Sequence, residues 1–111
     1  MIVNNNELQN SKTPSGCTPL HQAAYYGHFE IFKLIFENTE DKNPLGLFKE
    51  TVLHHAASRG HLEICKYIVS KVEDKNIAIN SKNDVNETPI DVAKNHGHPQ
   101  VVDYLRSIVE N

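Results

Sequence analysis

Three things are scarce in this 111-residue chain: long apolar runs, an excess of charge of one sign, and cysteine. No apolar stretch approaches the roughly 18 residues that a membrane span needs, so no membrane partner is expected. The opening residues, Met1-Ile2-Val3-Asn4-Asn5-Asn6, lack the basic start and apolar stretch of a signal peptide. A net charge of −3 exerts no sequence-wide pull on phosphate backbones or anionic lipid, which also sets nucleic acid aside. The two cysteines, Cys17 and Cys65, fit neither a disulfide framework nor a Cys-x-x-Cys metal site. Such usage favours a reducing compartment, and the chain is expected in the cytoplasm or the nucleus. A Gly-rich phosphate loop, a Ser nucleophile elbow and a surviving paired-carboxylate pattern are missing too. No catalytic residue, cofactor or dedicated metal is therefore expected.

What is present is a thin core, with 39% hydrophobic residues and a mean hydropathy of −0.49, in a chain the size of one domain. It is organised by repetition. Gly16-Cys17-Thr18-Pro19-Leu20-His21-Gln22-Ala23-Ala24-Tyr25-Tyr26-Gly27-His28 aligns with Lys49-Glu50-Thr51-Val52-Leu53-His54-His55-Ala56-Ala57-Ser58-Arg59-Gly60-His61. A third copy runs Asn86-Glu87-Thr88-Pro89-Ile90-Asp91-Val92-Ala93-Lys94-Asn95-His96-Gly97-His98. The threonines, the Gly-His pairs and the series Asn10, Asn43, Asn80 all recur at spacings of 33 and then 37. Three independent markers in one register exclude coincidence.

The residues of each copy predict a helix pair. Thr18, Thr51 and Thr88 open a helix, because a threonine hydroxyl can accept from an orphan amide of the first turn, and Pro19 and Pro89 suit the position that follows. Gly27, Gly60 and Gly97 suit the left-handed residue that ends it, so each first helix spans about two turns. A second helix follows with apolar residues at helical spacing: Phe29, Ile31, Phe32 and Ile35, then Leu62, Ile64, Cys65 and Ile68, then Val101, Val102, Leu105 and Ile108. One pair cannot bury its stripe alone, so stacking must supply the core. The four extra residues fall between Val69 and Ile79 and are expected to lengthen the second helix of the middle copy or its loop. Residues 37–50 and 70–87 are read as extended turns, with the matching runs Glu40-Asp41-Lys42-Asn43 and Glu73-Asp74-Lys75-Asn76 as solvated turns.

With period 33, Thr-Pro-Leu-His-x-Ala and a following Gly-His, the sequence resembles the ankyrin-repeat family over about residues 10 to 109. The resemblance implies an all-α fold, a solenoid of stacked antiparallel helix pairs joined by extended β-turn fingers. It divides the chain into an N-terminal segment or partial cap (1–15), repeat 1 (16–48), repeat 2 with its four-residue insertion (49–85) and repeat 3 (86–111). Asp91, Lys94 and Arg106 depart from the pattern in repeat 3 and read as a C-terminal cap facing water.

Seven histidines raise a metal hypothesis that placement largely dissolves. His21 and His54 hold the motif position, where the family uses imidazole as a structural hydrogen-bonding group between turns and adjacent repeats. His28, His61 and His98 recur after the helix-ending glycines. His55 and His96 are left over, and His54 and His55 point about 100° apart on a helix, poor geometry for one ion. Cys17, near a helix start, is the remaining candidate nucleophile, set against a junction position that varies freely in the family.

The resemblance implies a protein partner, bound on a concave strip of turn tips and outward helix faces, and a monomer. Mapped onto this sequence, the candidate partner-binding residues are Ser15, Cys17, Tyr25 and Tyr26 in repeat 1, then Leu47, Phe48, Glu50, Ser58 and Arg59 around repeat 2. Repeat 3 contributes Val85, Glu87, Asn95 and His96. Tyr25, Tyr26 and Arg59 fall side by side and are residue types favoured at interface hot spots. Leu47 and Phe48 form an apolar turn tip in which Lys49 replaces the usual glycine, and packing against a neighbouring turn stays open beside partner contact. The role expected is an adaptor or a stoichiometric inhibitor. Twelve asparagines point to an AT-rich genome and with it to a host-directed role. The alternatives are a piece of a longer scaffold and a small hydrolytic or metal protein using Cys17, His55 or His96.

Overall fold

Each of the three threonines closes a reciprocal pair of hydrogen bonds with the residue three positions on. The Thr18 hydroxyl accepts from the His21 amide at 3.3 Å while His21 Nδ1 accepts from the Thr18 amide at 3.3 Å. Thr51 and His54 repeat this at 3.2 Å in both directions. In the third copy Asp91 stands in for histidine, its Oδ2 accepting from the Thr88 amide at 3.0 Å. Two of the orphan donors at each helix start are thereby satisfied.

The helices that follow are seen in a computed structural model that describes residues 18–40 and 44–109, apart from the side chain of Leu47. They are α1 (Pro19–Tyr26), α2 (Phe29–Asn38), α3 (Val52–Ser58), α4 (Leu62–Lys71), α5 (Lys75–Ile79), α6 (Pro89–Asn95) and α7 (Pro99–Val109). No strand occurs among the described residues. α1, α3 and α6 pack side by side in one row, α2, α4 and α7 in a second, and each short helix lies against the long one after it. The core runs between the rows: Leu20, Ala24, Phe32, Leu53, Ala57, Ile64, Cys65, Ala93, Val101 and Leu105 are all buried.

The turn from short to long helix locks neighbouring pairs together. Gly27 and Gly60 adopt φ of 75°, and a Cβ on either would lie 2.5 Å from the ring of His61 or His98. The absent side chains leave room for those rings, whose Nε2 atoms donate to the carbonyls of Tyr25 (2.9 Å) and Ser58 (3.0 Å) in the preceding pair. On the other side of each pair, the motif histidines reach forward. His21 Nε2 donates to the Glu50 carbonyl at 3.0 Å and His54 Nε2 to the Glu87 carbonyl at 2.8 Å. Since Nδ1 accepts from a threonine amide, both rings are the neutral Nε2–H tautomer. Asp91 keeps the local cap and is too short to reach on.

Two turns project from the rows. Residues 46–50 close through Gly46 N to Glu50 O (2.9 Å), residues 83–87 through Asn83 N to Glu87 O (3.0 Å), and the Asp84 amide donates to the Phe48 carbonyl at 2.8 Å, tying one turn to the other.

The structure decides between the two places expected for the insertion and corrects two other expectations. The insertion does not lengthen α4, which at ten residues equals α2; it lies in the connection that follows, where the separate helix α5 forms and packs on α7. Glu73-Asp74-Lys75-Asn76 is solvated but is no turn, because Asp74 caps α5 by accepting from the Ile77 amide at 3.1 Å. Finally, Ile31 is 53% exposed rather than part of the buried stripe, as is Leu34 at 64%. Of their counterparts one and two copies on, Ile64 and Val101 are buried and Tyr67 and Tyr104 partly so, the Tyr67 ring meeting Phe29, Phe32 and Phe36 of the preceding pair; among the described residues nothing precedes α2 on that side. The N-terminal segment 1–15, Asn10 and Asn43 lie outside the described residues.

Candidate functional site

The last turn of α1 and the end of α3 lie next to each other because the two helices stack in register, 33 residues apart. This places Tyr25 and Tyr26 beside Arg59. The Arg59 guanidinium sits over the Tyr25 ring, 4.8 Å from its centroid, and Tyr26 meets Tyr25 edge-on at 5.0 Å. Tyr26 itself is 65% exposed and stacks at 6.4 Å on His28. An aromatic floor carrying a cation thus spans two helix pairs.

His55, one turn before Arg59 on the same helix, continues the floor. Its ring meets Tyr25 at 6.0 Å and His21 at 5.0 Å, both edge-on. Burial, and then the neighbouring His54, push its pKa down to about 4. Its Nε2 is buried without a hydrogen-bond partner, and Glu50 Oε1 stands 3.6 Å away. At neutral pH that approach is a carboxylate against a neutral ring, not an ion pair. Burial also lowers the pKa of His54, outweighing the carbonyl of Glu87 and the charges of Glu50 and Glu87.

Farther along, the polar residues pair among themselves. Asn83 Nδ2 donates to Glu50 Oε2 at 3.4 Å, and Asn95 Nδ2 to Glu87 Oε2 at 2.8 Å. The Ser58 hydroxyl bonds to the His55 carbonyl, and His96 Nδ1 donates to the Val92 carbonyl. Phe48 is 58% exposed at its turn tip, as Val85 is at the next; the neighbouring turn takes the Phe48 carbonyl and leaves its ring in water. Lys49 and Asp84 approach to 4.0 Å, both well exposed, a pair of small energetic weight.

Of the candidate residues, then, the structure brings together Tyr25, Tyr26 and Arg59 as one cluster and Glu87 with Asn95 as another. Glu50 joins the first through His55. Phe48 and Val85 stand apart at the turn tips. Ser15 and Cys17 lie outside the described residues, as does the side chain of Leu47. Sequence reasoning missed His55 as a member of the strip; its place four residues before Arg59 on one helix was the available signal. It also missed Asn83, whose Oδ1 accepts from the Val85 and Glu87 amides at 3.1 and 2.9 Å and so holds the second turn tip.

The chemistry elsewhere is spent on structure. Cys65 is buried, its thiol pushed up to about 12, so it carries no thiolate at neutral pH. Among the described residues no group of three or more His, Cys, Asp or Glu side chains is placed to hold a metal ion. No helix of the described residues is long and apolar enough to cross a membrane. A groove of about 350 Å³ opens between Phe36, Leu53, Ile68, Val72 and α5, on walls that are mostly apolar.

Comparison with known families agrees with the geometry. A model described as ankyrin repeats (3 copies) matches residues 39–110, and one described as ankyrin repeat matches residues 15–44. No curated protein matches the chain.

Proposed function

Since the chain belongs to the ankyrin-repeat family, whose repeats are generally protein–protein interaction modules, we propose that it is a non-catalytic module binding one protein partner through the strip centred on Tyr25, Tyr26 and Arg59. The observation that carries this reading is the cluster itself: two tyrosines and an arginine in contact across two helix pairs, with Tyr26 largely exposed. Such residues supply contact area at low entropic cost and dominate interface energetics. Acting as a monomer in the cytoplasm or nucleus, the module serves as an adaptor or as a stoichiometric inhibitor that masks a partner's surface, and a host cell is one source of that partner.

The absence of catalysis belongs to the same proposal. It is supported by the raised thiol of Cys65 and by the use of His21, His54, His61 and His98 as donors to backbone carbonyls.

Affinity capture with mass spectrometry tests the reading, comparing wild type with the Tyr25→Ala/Tyr26→Ala/Arg59→Ala variant after circular dichroism shows both folded. A protein held by wild type and lost by the variant is the expected outcome. Identical capture by both moves the site away from the strip. The exposed Ile31 and Leu34 favour one second reading, a piece of a longer scaffold, which expects capture of nothing and a marginal unfolding free energy.

A further inference from the structure

The strip's charged groups are not equally available. Glu50 faces Asn83 with one oxygen and His55 with the other, and Glu87 takes the Asn95 amide. Arg59 touches the Tyr25 ring, and among the described residues no carboxylate lies within ion-pair distance of it. A guanidinium has five N–H donors in a fixed fork that matches a carboxylate, and here the ring beneath restricts the side chain before any partner arrives. Glu50 and Glu87 keep their charges but have an oxygen each engaged by an asparagine amide, whereas among the described residues no side chain takes the Arg59 donors, which are left for a partner although the chain as a whole is negative.

Resting on the proposed binding function, we infer that the partner presents the carboxylate of an Asp or Glu side chain to Arg59 and an apolar side chain to Tyr26. The spacing follows from the floor. Arg59 to Tyr25 and Tyr25 to Tyr26 together span roughly 10 Å at most, and an extended segment rises about 3.3 Å per residue. Side chains of an extended segment alternate between its faces, so the acid and the apolar residue that both face the floor stand two positions apart, and a spacing of three serves as the control. A single guanidinium suits a monoanion; a phosphate group carries about two charges and takes arginine clusters.

An array of immobilised nonapeptides tests this, with Glu, Asp, Gln, Lys or phosphoserine at the centre and Leu, Phe or Ala two or three positions away. Wild type is expected to hold Glu and Asp peptides at least about tenfold better than Gln peptides, the scale of a hydrogen bond to a charged group, and Leu or Phe two positions away better than Ala. Arg59→Gln abolishes the acid preference and Arg59→Glu turns it toward Lys, with circular dichroism unchanged because Arg59 is exposed. Equal binding of Glu and Gln peptides, a higher signal for phosphoserine, an acid preference that survives Arg59→Gln, or no peptide held at all would overturn the inference. The two proposals fail separately: loss of partner capture in the triple alanine variant with no acid preference on the array retains the binding strip and discards the carboxylate.

Discussion

His54 Nε2 lies 2.8 Å from the carbonyl of Glu87, 33 residues away, while Nδ1 of the same ring accepts from the Thr51 amide. One neutral imidazole thus caps its own helix and fastens the next copy, in a side chain with no solvent exposure. Asp91 performs only the first task. His54→Ala therefore strips the Thr51 amide of its side-chain acceptor, takes from the Glu87 carbonyl one of its two donors while Asn83 N remains, and leaves a void in the core, and should cost about 3 kcal/mol. Asp91→Ala loses an exposed cap and should cost about 1 kcal/mol. Urea unfolding of both variants checks the difference; equal losses would mean that the forward bond contributes nothing.

The depressed pKa of His55 makes stability depend on pH. In the unfolded chain the imidazole titrates near 6.5, and in the folded chain at about 4. Between those values the unfolded state binds a proton that the folded state refuses, so the contribution present above 6.5 is lost as pH falls. One such group loses about 2 kcal/mol between pH 7 and pH 5, and His54, lowered as well, acts in the same direction. Between the two pH values the unfolding free energy from urea curves should fall more for wild type than for His55→Gln, by about that amount.

A different kind of prediction comes from the first turn tip. Phe48 and Lys49 both hold positive φ, 60° and 58°, where a side chain costs about 1–2 kcal/mol. In the second tip only Asn86 does so, a residue that tolerates the region better. Lys49→Gly should raise stability by about 0.5–1 kcal/mol once the greater freedom of glycine in the unfolded chain is deducted. The exposed, weak contact with Asp84 is a small loss beside this. A thermal melt that moves downward would show that the turn is not strained.

The helix pairs were legible because their signals are local. A capping threonine, a proline at the first position and a left-handed glycine act within a few residues, and they recur in register. α5 was not legible, since Glu73-Asp74-Lys75-Asn76 copies an earlier charge run, and the cap by Asp74 was masked by that likeness. Ile31 shows another limit: periodicity marks an apolar face and is silent about what covers it. In the candidate strip, register alone put Tyr25, Tyr26 and Arg59 together. The stacking of Arg59 on Tyr25, and not on Tyr26 whose register position it shares, depends on rotamers that no spacing encodes. His55 stands beside His54 as a histidine the repeat pattern does not use, although helical spacing places it one turn from Arg59.

The glycines that end α1, α3 and α6 share one backbone conformation, φ of 75°, 75° and 77°, and differ in what surrounds them. A Cβ at Gly97 meets nothing within 4 Å, whereas at Gly60 it would lie 2.5 Å from Nδ1 of His98. Gly97→Ala therefore carries only the left-handed strain, about 1 kcal/mol. Gly60→Ala carries that strain and must also displace the His98 ring, breaking its 3.0 Å bond to the Ser58 carbonyl; the sum is about 3 kcal/mol. His98→Ala in the Gly60→Ala background separates the two terms. With the ring gone the clash is gone, so the extra cost of Gly60→Ala should shrink to that of Gly97→Ala. An undiminished cost in this double-mutant cycle would place the penalty in the backbone alone and remove the ring from its cause.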